Sequence, residues 1–362
     1  MPEGVMEILG GALVVLALVD VFLTVLYSRA GVGLLTPRLY RGTWALFKAV
    51  GGVAGRHKDA VLSFSGPAMM LLTVGMWFLL LLLGFSLIVW PALGVSVTKS
   101  SGATPTDWWT AVYYTGYSLT TLGTGDLVPN SAFYRLLMVA KALVGFSIIT
   151  LTLTYFMSVY SALVRRNTLA QVLHHLSGGT GGAVQLLVRV HTSGWLKGGQ
   201  GGFMDVGMQT LDLLESHHSY PVLHYFRMRD PRYSMARIAL LVLEPLTLAR
   251  SALAEPPGKL MSRAEISMLW GSGTDLLGQT GRSLLGAQAL GQDDPVKRSR
   301  FPDAFQRLRE AGLEVADDPG KAEESYHCLR GQWVGAAYAF AEMMAHPWDE
   351  IEPPKAERSG GR

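Results

Sequence analysis

Two glycines one residue apart stand in the run Thr121-Leu122-Gly123-Thr124-Gly125-Asp126. The chemistry open to such a run belongs to the main chain. A cation stripped of its water needs oxygens in replacement, and a backbone whose successive carbonyls all point one way supplies them. That conformation requires unusual dihedrals at alternate residues, which glycine tolerates. The side chains of Leu122 and Thr124 then turn back, away from the carbonyls, and the Thr121 hydroxyl adds one more oxygen at the inner end. A surface turn with glycines at strained positions is the competing reading of the same residues.

What precedes this run favours the first reading. Residues 107–119 have the pattern of a short helix that Thr106 or Asp107 can cap, with Gly123 just beyond its end. Trp108, Trp109, Tyr113, Tyr114 and Tyr117 crowd it and would form an aromatic cuff behind the glycines. A helix aimed at the run by its C-terminus places negative dipole potential where a cation would sit. Pro129 follows the run.

The run lies between apolar stretches. The chain has 362 residues, of which 16% are charged, against roughly 25% in soluble domains. The deficit falls in residues 1–165, whose net charge is +4; the remainder carries −1. A membrane part followed by a water-exposed part large enough for its own core is expected. Residues 5–27, 67–90 and 134–164 read as membrane spans; the first, at 1.5 Å per residue, reaches about 34 Å. Arg29, Arg38, Arg41, Lys48, Arg56 and Lys58 lie between the first two spans, and Arg165 and Arg166 follow the third. Both segments are expected on the cytoplasmic side, with the N-terminus and residues 91–133 outside. Residues 37–56 pattern as an amphipathic helix along the inner membrane surface. No span carries regularly spaced arginines, which argues against voltage sensing of the usual kind.

Residues 67–164 resemble the pore region of potassium channels with two core helices and one pore loop per subunit, whose signature is Thr-Val-Gly-Tyr-Gly-Asp after a pore helix. Thr121, Gly123, Gly125 and Asp126 match, and Leu122 is a mild change. Thr124 departs, since the family has an aromatic residue there to brace the filter. A Thr leaves a smaller brace, expected to bond to Tyr114 or Tyr117. The resemblance implies a filter of Thr121, Leu122, Gly123, Thr124 and Gly125, supported by Asp126, Tyr114 and Tyr117. Counted from Asp126, it implies a gating hinge at Gly145, a basic outer-end residue at Arg135, and a cavity lined by Phe146, Ile149, Leu153, Met157 and Ser161. One loop cannot enclose a pore, so a homotetramer is implied. Potassium is then the transported ion rather than a cofactor, and a bacterial inner membrane the location. A weakly selective cation channel is the alternative that Thr124 permits. A non-conducting membrane sensor or scaffold is a third reading.

Other residues admit two readings each. Asp20, inside the first span, is a functional carboxylate or one paired with Arg29 or with Ser/Thr groups. Lys141 neutralises Asp126 or Asp107, or snorkels outward. His217, His218 and His224 read as surface or capping histidines, because Pro221 interrupts the helical spacing a metal would need. His174 and His175 read as a solvated helix end, with a proton-sensitive gate as the alternative. The single cysteine, Cys328, excludes an intrachain disulfide and is expected to be buried. The net charge of +3 comes without a basic run, so nucleic acid is not an expected partner.

The expected fold is all-α: three transmembrane helices, a re-entrant pore helix and filter, and a helical cytoplasmic domain. The expected organisation is 1–30 first span, 31–66 interfacial segment, 67–166 pore domain, 167–346 helical domain, 347–362 flexible tail. Within the helical domain, residues 203–216, 233–254, 262–283, 302–312 and 322–345 carry helical periodicity, with Pro245 kinking or ending its helix. The Gly-rich stretch 177–202 reads as breaks between helices. No Gly-Lys-Ser/Thr follows it and no Gly-x-Gly-x-x-Gly follows a clear strand, so a nucleotide site is unsupported. Residues 286–300 read as a linker. No nucleophile motif, metal-ligand spacing or cofactor fingerprint suggests an enzyme.

Overall fold

A computed structural model describes residues 3–27, 33–194, 202–284 and 300–353. The described residues are about 78% helical, with a single two-stranded sheet. Three helices are long and apolar enough to cross a membrane: Glu3–Leu26, Ser65–Ala92 and Ala132–Leu176. They carry the three expected spans. Two compact units divide the chain: residues 1–53 with 64–160, and residues 54–63 with the chain from Ser161 onward.

In the first unit, α1 (Glu3–Val21) continues as a wider turn to Leu26 and packs on α4 (Ser65–Val89). The two backbones meet at glycines. A Cβ on Gly10 would lie 2.5 Å from the Gly84 carbonyl oxygen, and one on Gly84 would lie 2.8 Å from that of Gly10. Small residues permit this approach between helices that gain little from apolar burial in lipid. Between them in sequence, α2 (Thr36–Val53) is amphipathic, as its pattern predicts.

Asp20 is fully buried, and its partners are the start of α2 rather than a basic side chain. Its carboxylate accepts from the Leu35 amide at 2.7 Å, the Thr36 hydroxyl at 2.6 Å and the Trp77 indole at 2.8 Å. A carboxylate at a helix N-terminus satisfies orphan amides and meets the positive end of the dipole. Of the sequence readings, pairing with Ser/Thr groups describes this site; Arg29 lies outside the described residues.

The 45-residue α6 (Ala132–Leu176) does not stop at Arg165-Arg166. No Gly or Pro occurs between Gly145 and Ser177, and the helix ends only where Gly178 and Gly179 adopt φ of +73° and +77°, the left-handed conformation that terminates helices.

The second unit is built from helices, joined among its described residues by short loops and one isolated bridge, Leu253 to Val315. It comprises α3 (Lys58–Ser63), α7 (Ala183–Thr192), α8 (Gly202–Ser219), α9 (Met235–Ala252), α10 (Pro257–Met261), α11 (Ala264–Leu284), α12 (Phe301–Glu310), α13 (Pro319–Arg330), α14 (Val334–Met343) and α15 (Trp348–Ile351). The almost wholly buried α9 is its axis, packed by α7, α11, α13 and α14. Pro245 sits inside α9 without ending it, the burial on all sides holding the helix together. The Gly-rich stretch contains α7, because Leu186, Leu187 and Val190 supply a buried stripe. The expected 322–345 helix is two helices, broken at Gly331–Trp333.

Three expectations are corrected here. Cys328 is exposed, on the outer face of α13. Residues 347–353 are not a solvated tail: Ile351 is fully buried and Glu352 forms a buried ion pair with Arg330 at 2.8 Å. His217 and His224 are not surface histidines. Pro221–Tyr225 forms a tight turn that brings the two buried rings to 4.5 Å between centroids. The expected linker (286–299) and the rest of the tail (354–362) lie outside the described residues.

Candidate functional site

The expected short helix is present as α5 (Trp108–Leu119). Asp107 caps it, accepting from the Thr110 amide at 3.1 Å and the Thr110 hydroxyl at 2.8 Å, as short polar side chains do at helix starts. Trp90, at the end of α4, holds the same end. Its indole donates to the Thr106 carbonyl at 3.1 Å and its ring meets Trp108 edge-on at 5.3 Å.

The aromatic residues divide their tasks. Tyr117 donates its hydroxyl to the Leu127 carbonyl at 2.6 Å, fixing the chain just past Asp126. Tyr114 is buried and turns its ring to Lys141, whose amine lies 3.9 Å from the ring centroid. Lys141 is itself fully buried and has no hydrogen-bond partner among the described residues. It neither meets Asp107 or Asp126 nor snorkels; the ring face is its contact. Tyr113 reaches Thr124, with its hydroxyl 3.2 Å from the Thr124 hydroxyl and 3.4 Å from the Asp126 carboxylate. The Thr124 hydroxyl also donates to Asp126 at 2.8 Å. The brace on Thr124 is thus Tyr113 and Asp126, where Tyr114 or Tyr117 was expected.

The backbone of 121–125 has an alternating form. Thr121, Gly123 and Gly125 have φ of +60°, +62° and +74°, whereas Leu122 and Thr124 between them do not turn positive. For a β-branched residue this conformation is an outlier, and it costs about 1–2 kcal/mol. Such strain persists only where the surroundings impose it, and it marks functional segments. The surroundings are visible at both ends. The Leu122 amide donates to the Tyr117 carbonyl at 2.9 Å. On the far side β1 (Val97–Lys99) pairs antiparallel with β2 (Leu127–Pro129), and the Ser100 amide donates to the Asp126 carbonyl at 2.9 Å. Three-residue strands give no period to read, so this hairpin was not expected from sequence. Residues 121–125 themselves are exposed on the single chain.

Behind α5 runs α6. Gly145 faces the end of α5, where any Cβ would overlap the Leu119 carbonyl. That close approach by itself requires glycine at this position. Arg135 donates to the Pro129 carbonyl at 3.1 Å, tying the outer end of α6 to β2. Phe146, Ile149, Leu153, Met157 and Ser161 are all exposed on the single chain, and their spacing of three and four places them on one face.

Residues 76–162 match a family model described as "Ion channel". The chain is also 28% identical, over 256 residues, to the uncharacterized membrane protein YdjJ of Bacillus subtilis (strain 168); the match covers 68% of this chain and 71% of that protein. No solved structure matches.

Proposed function

We propose that residues 76–162, which match the ion-channel family model, form a two-helix pore domain, and that this multi-pass membrane protein is a homotetrameric potassium channel. The observation that carries the proposal is the alternation of left-handed φ at Thr121, Gly123 and Gly125. Alternation flips each peptide plane relative to the next, so that carbonyls which would point to opposite sides of a strand come to one side. Four such strands around an axis replace the hydration shell of a potassium ion. Residues 121–125 are exposed on one chain, as a lining shared among copies would be. In this reading α5 is a re-entrant pore helix and its C-terminal dipole adds negative potential at the inner end. Asp126, Tyr113 and Tyr117 support the filter, while Tyr114 supports α5 through Lys141. Phe146, Ile149, Leu153, Met157 and Ser161 line the cavity, and Gly145 allows the inner helix to bend.

In this reading the basic residues between the first two spans favour a cytoplasmic side for α2 and for the C-terminal helical domain, with a bacterial inner membrane as host. Conduction is passive, so no residue has a catalytic role.

Weak selectivity is the second reading, and a specific contact favours it. Thr124 is braced by two hydrogen bonds on an exposed surface rather than by a packed aromatic ring, which leaves the filter width softer. Ion flux from liposomes holding the purified protein, in potassium and then sodium, with and without barium, tests both. Barium-sensitive flux in potassium alone is expected. Equal flux in the two ions would remove potassium selectivity, and no flux would remove the channel.

A further inference from the structure

The second unit encloses a cluster of cations that the pore does not use. Arg166, from α6, and Arg227, after the Pro221–Tyr225 turn, are 4% and 3% exposed. With His217, His224 and His346 they line a cavity of about 20 Å³, room for one water-sized guest.

The hydrogen bonds around this cavity are incomplete in one direction. Arg166 donates to the Leu223 carbonyl at 3.3 Å and the Phe226 carbonyl at 2.9 Å, but its Nε–H has no partner. Arg227 donates to the Met344 carbonyl at 2.8 Å and to the Asp59 carboxylate at 2.6 Å, and one terminal nitrogen, Nη1, has no partner. His217 and His224 share a proton between their Nδ1 atoms at 2.9 Å, leaving the His217 Nε2 without a partner. The charges do not balance either. Asp59 is the carboxylate paired with Arg227, and its side chain is 59% exposed. Arg166 has no carboxylate within ion-pair distance among the described residues. A buried guanidinium without a counter-charge is costly. Asp230, the other carboxylate near the cluster, is paired with Arg232 at 2.6 Å.

We infer that this cavity is a binding site for one small monovalent anion of the halide class, held by the Nε–H of Arg166 and the free N–H groups of Arg227. The unsatisfied guanidinium groups are donors only, which an anion satisfies more fully than a water that must also donate. An anion here would also offset the repulsion from Arg166 that, together with burial, holds His217 and His224 below the ordinary histidine range.

The test uses the full chain in detergent, with chloride as the probe. Melting temperature is compared in sodium chloride and sodium gluconate at equal ionic strength. A rise in chloride is expected for the wild type and for Arg165→Gln, whose exposed guanidinium is paired with Asp212. The rise should vanish in Arg166→Gln and in Arg227→Gln, either of which suffices if the other does not fold. Equal melting temperatures of the wild type in the two salts would overturn the inference, as would loss of the response in Arg165→Gln. Bromide-soaked crystals give an independent reading. An anomalous peak in hydrogen-bonding reach of Arg166 Nε supports the site, and a water there overturns it.

Discussion

Gly145 stands against the Leu119 carbonyl so closely that a methyl group on its Cα would overlap the oxygen. This contact joins α6 to the C-terminus of α5, two residues before Thr121. It gives glycine a reason to be there that is independent of bending.

Gly145→Ala separates the two reasons. If the contact governs, Ala forces α5 and α6 apart, and overpacking of this kind costs about 1–3 kcal/mol. A lower melting temperature in detergent and a loss of flux are expected together. If bending alone governs, Ala is the better helix former, so melting temperature would hold or rise while open probability falls.

Asp20 allows a second prediction. Its carboxylate serves the Leu35 amide, the Thr36 hydroxyl and the Trp77 indole at once. Asp20→Leu leaves these buried donors without an acceptor, at about 1–3 kcal/mol each. A large drop in melting temperature is expected, with Asp20→Asn intermediate because its amide oxygen retains an acceptor. Equal stability of Leu and Asn variants would refute the capping role.

The selectivity of the proposed filter should depend on Tyr113. Tyr113→Phe removes the hydroxyl that meets Thr124 and Asp126 while keeping the ring. A neutral hydrogen bond is worth about 0.5–1.5 kcal/mol, so the potassium-to-sodium permeability ratio should fall by up to about tenfold. Bi-ionic reversal potentials measure it. Tyr114→Phe, whose ring face rather than hydroxyl meets Lys141, should leave the ratio unchanged.

What the sequence made legible follows the length of each signal. Apolar runs of twenty residues and more announced the spans, and Asp107 before an aromatic run announced α5. The glycine spacing announced the alternation, but Thr121 as its third left-handed member was hidden, because nothing in a threonine signals positive φ. Helical periodicity could not say which of three neighbouring tyrosines would face Thr124; the chain beyond it is held by the β1–β2 hairpin, through pairs 28 to 32 residues apart. The burial of His217 and His224 was invisible because Pro221 reads as a break, whereas here it folds one ring onto the other. Cys328 followed its residue type in expectation and its helix face in fact.

The buried ion network of the second unit should be fragile to the loss of its cation. Arg330 contacts Glu244 at 2.5 Å and Glu352 at 2.8 Å, and its side chain is 2% exposed. Tyr326 also donates to Glu244 at 2.5 Å. Arg330→Leu leaves the buried Glu244 without a cation and Glu352 with only Arg300, at 3.7 Å, and breaking such a pair costs about 3–5 kcal/mol. The double variant Arg330→Leu/Glu244→Leu should recover part of that loss. A single variant as stable as wild type by urea titration would deny the network any structural role.

Acid should weaken the second unit through its buried histidines. Burial first, then Arg227, holds His346 down to about 4; burial, then Arg166, holds His224 down to about 3. Unfolded, each returns to near 6.5. Between those values the unfolded chain binds more protons than the folded one, so stability is complete above about pH 6.5 and is lost as pH falls. The slope is about 1.4 kcal/mol per pH unit for each histidine. Melting temperature measured in gluconate salts should therefore decline from about pH 7 to pH 5, within that window. His346→Gln removes one titrating group and should make the decline shallower by one proton's share. An unchanged slope in that variant would mean that His346 takes up its proton without unfolding, and that its burial does not set its charge.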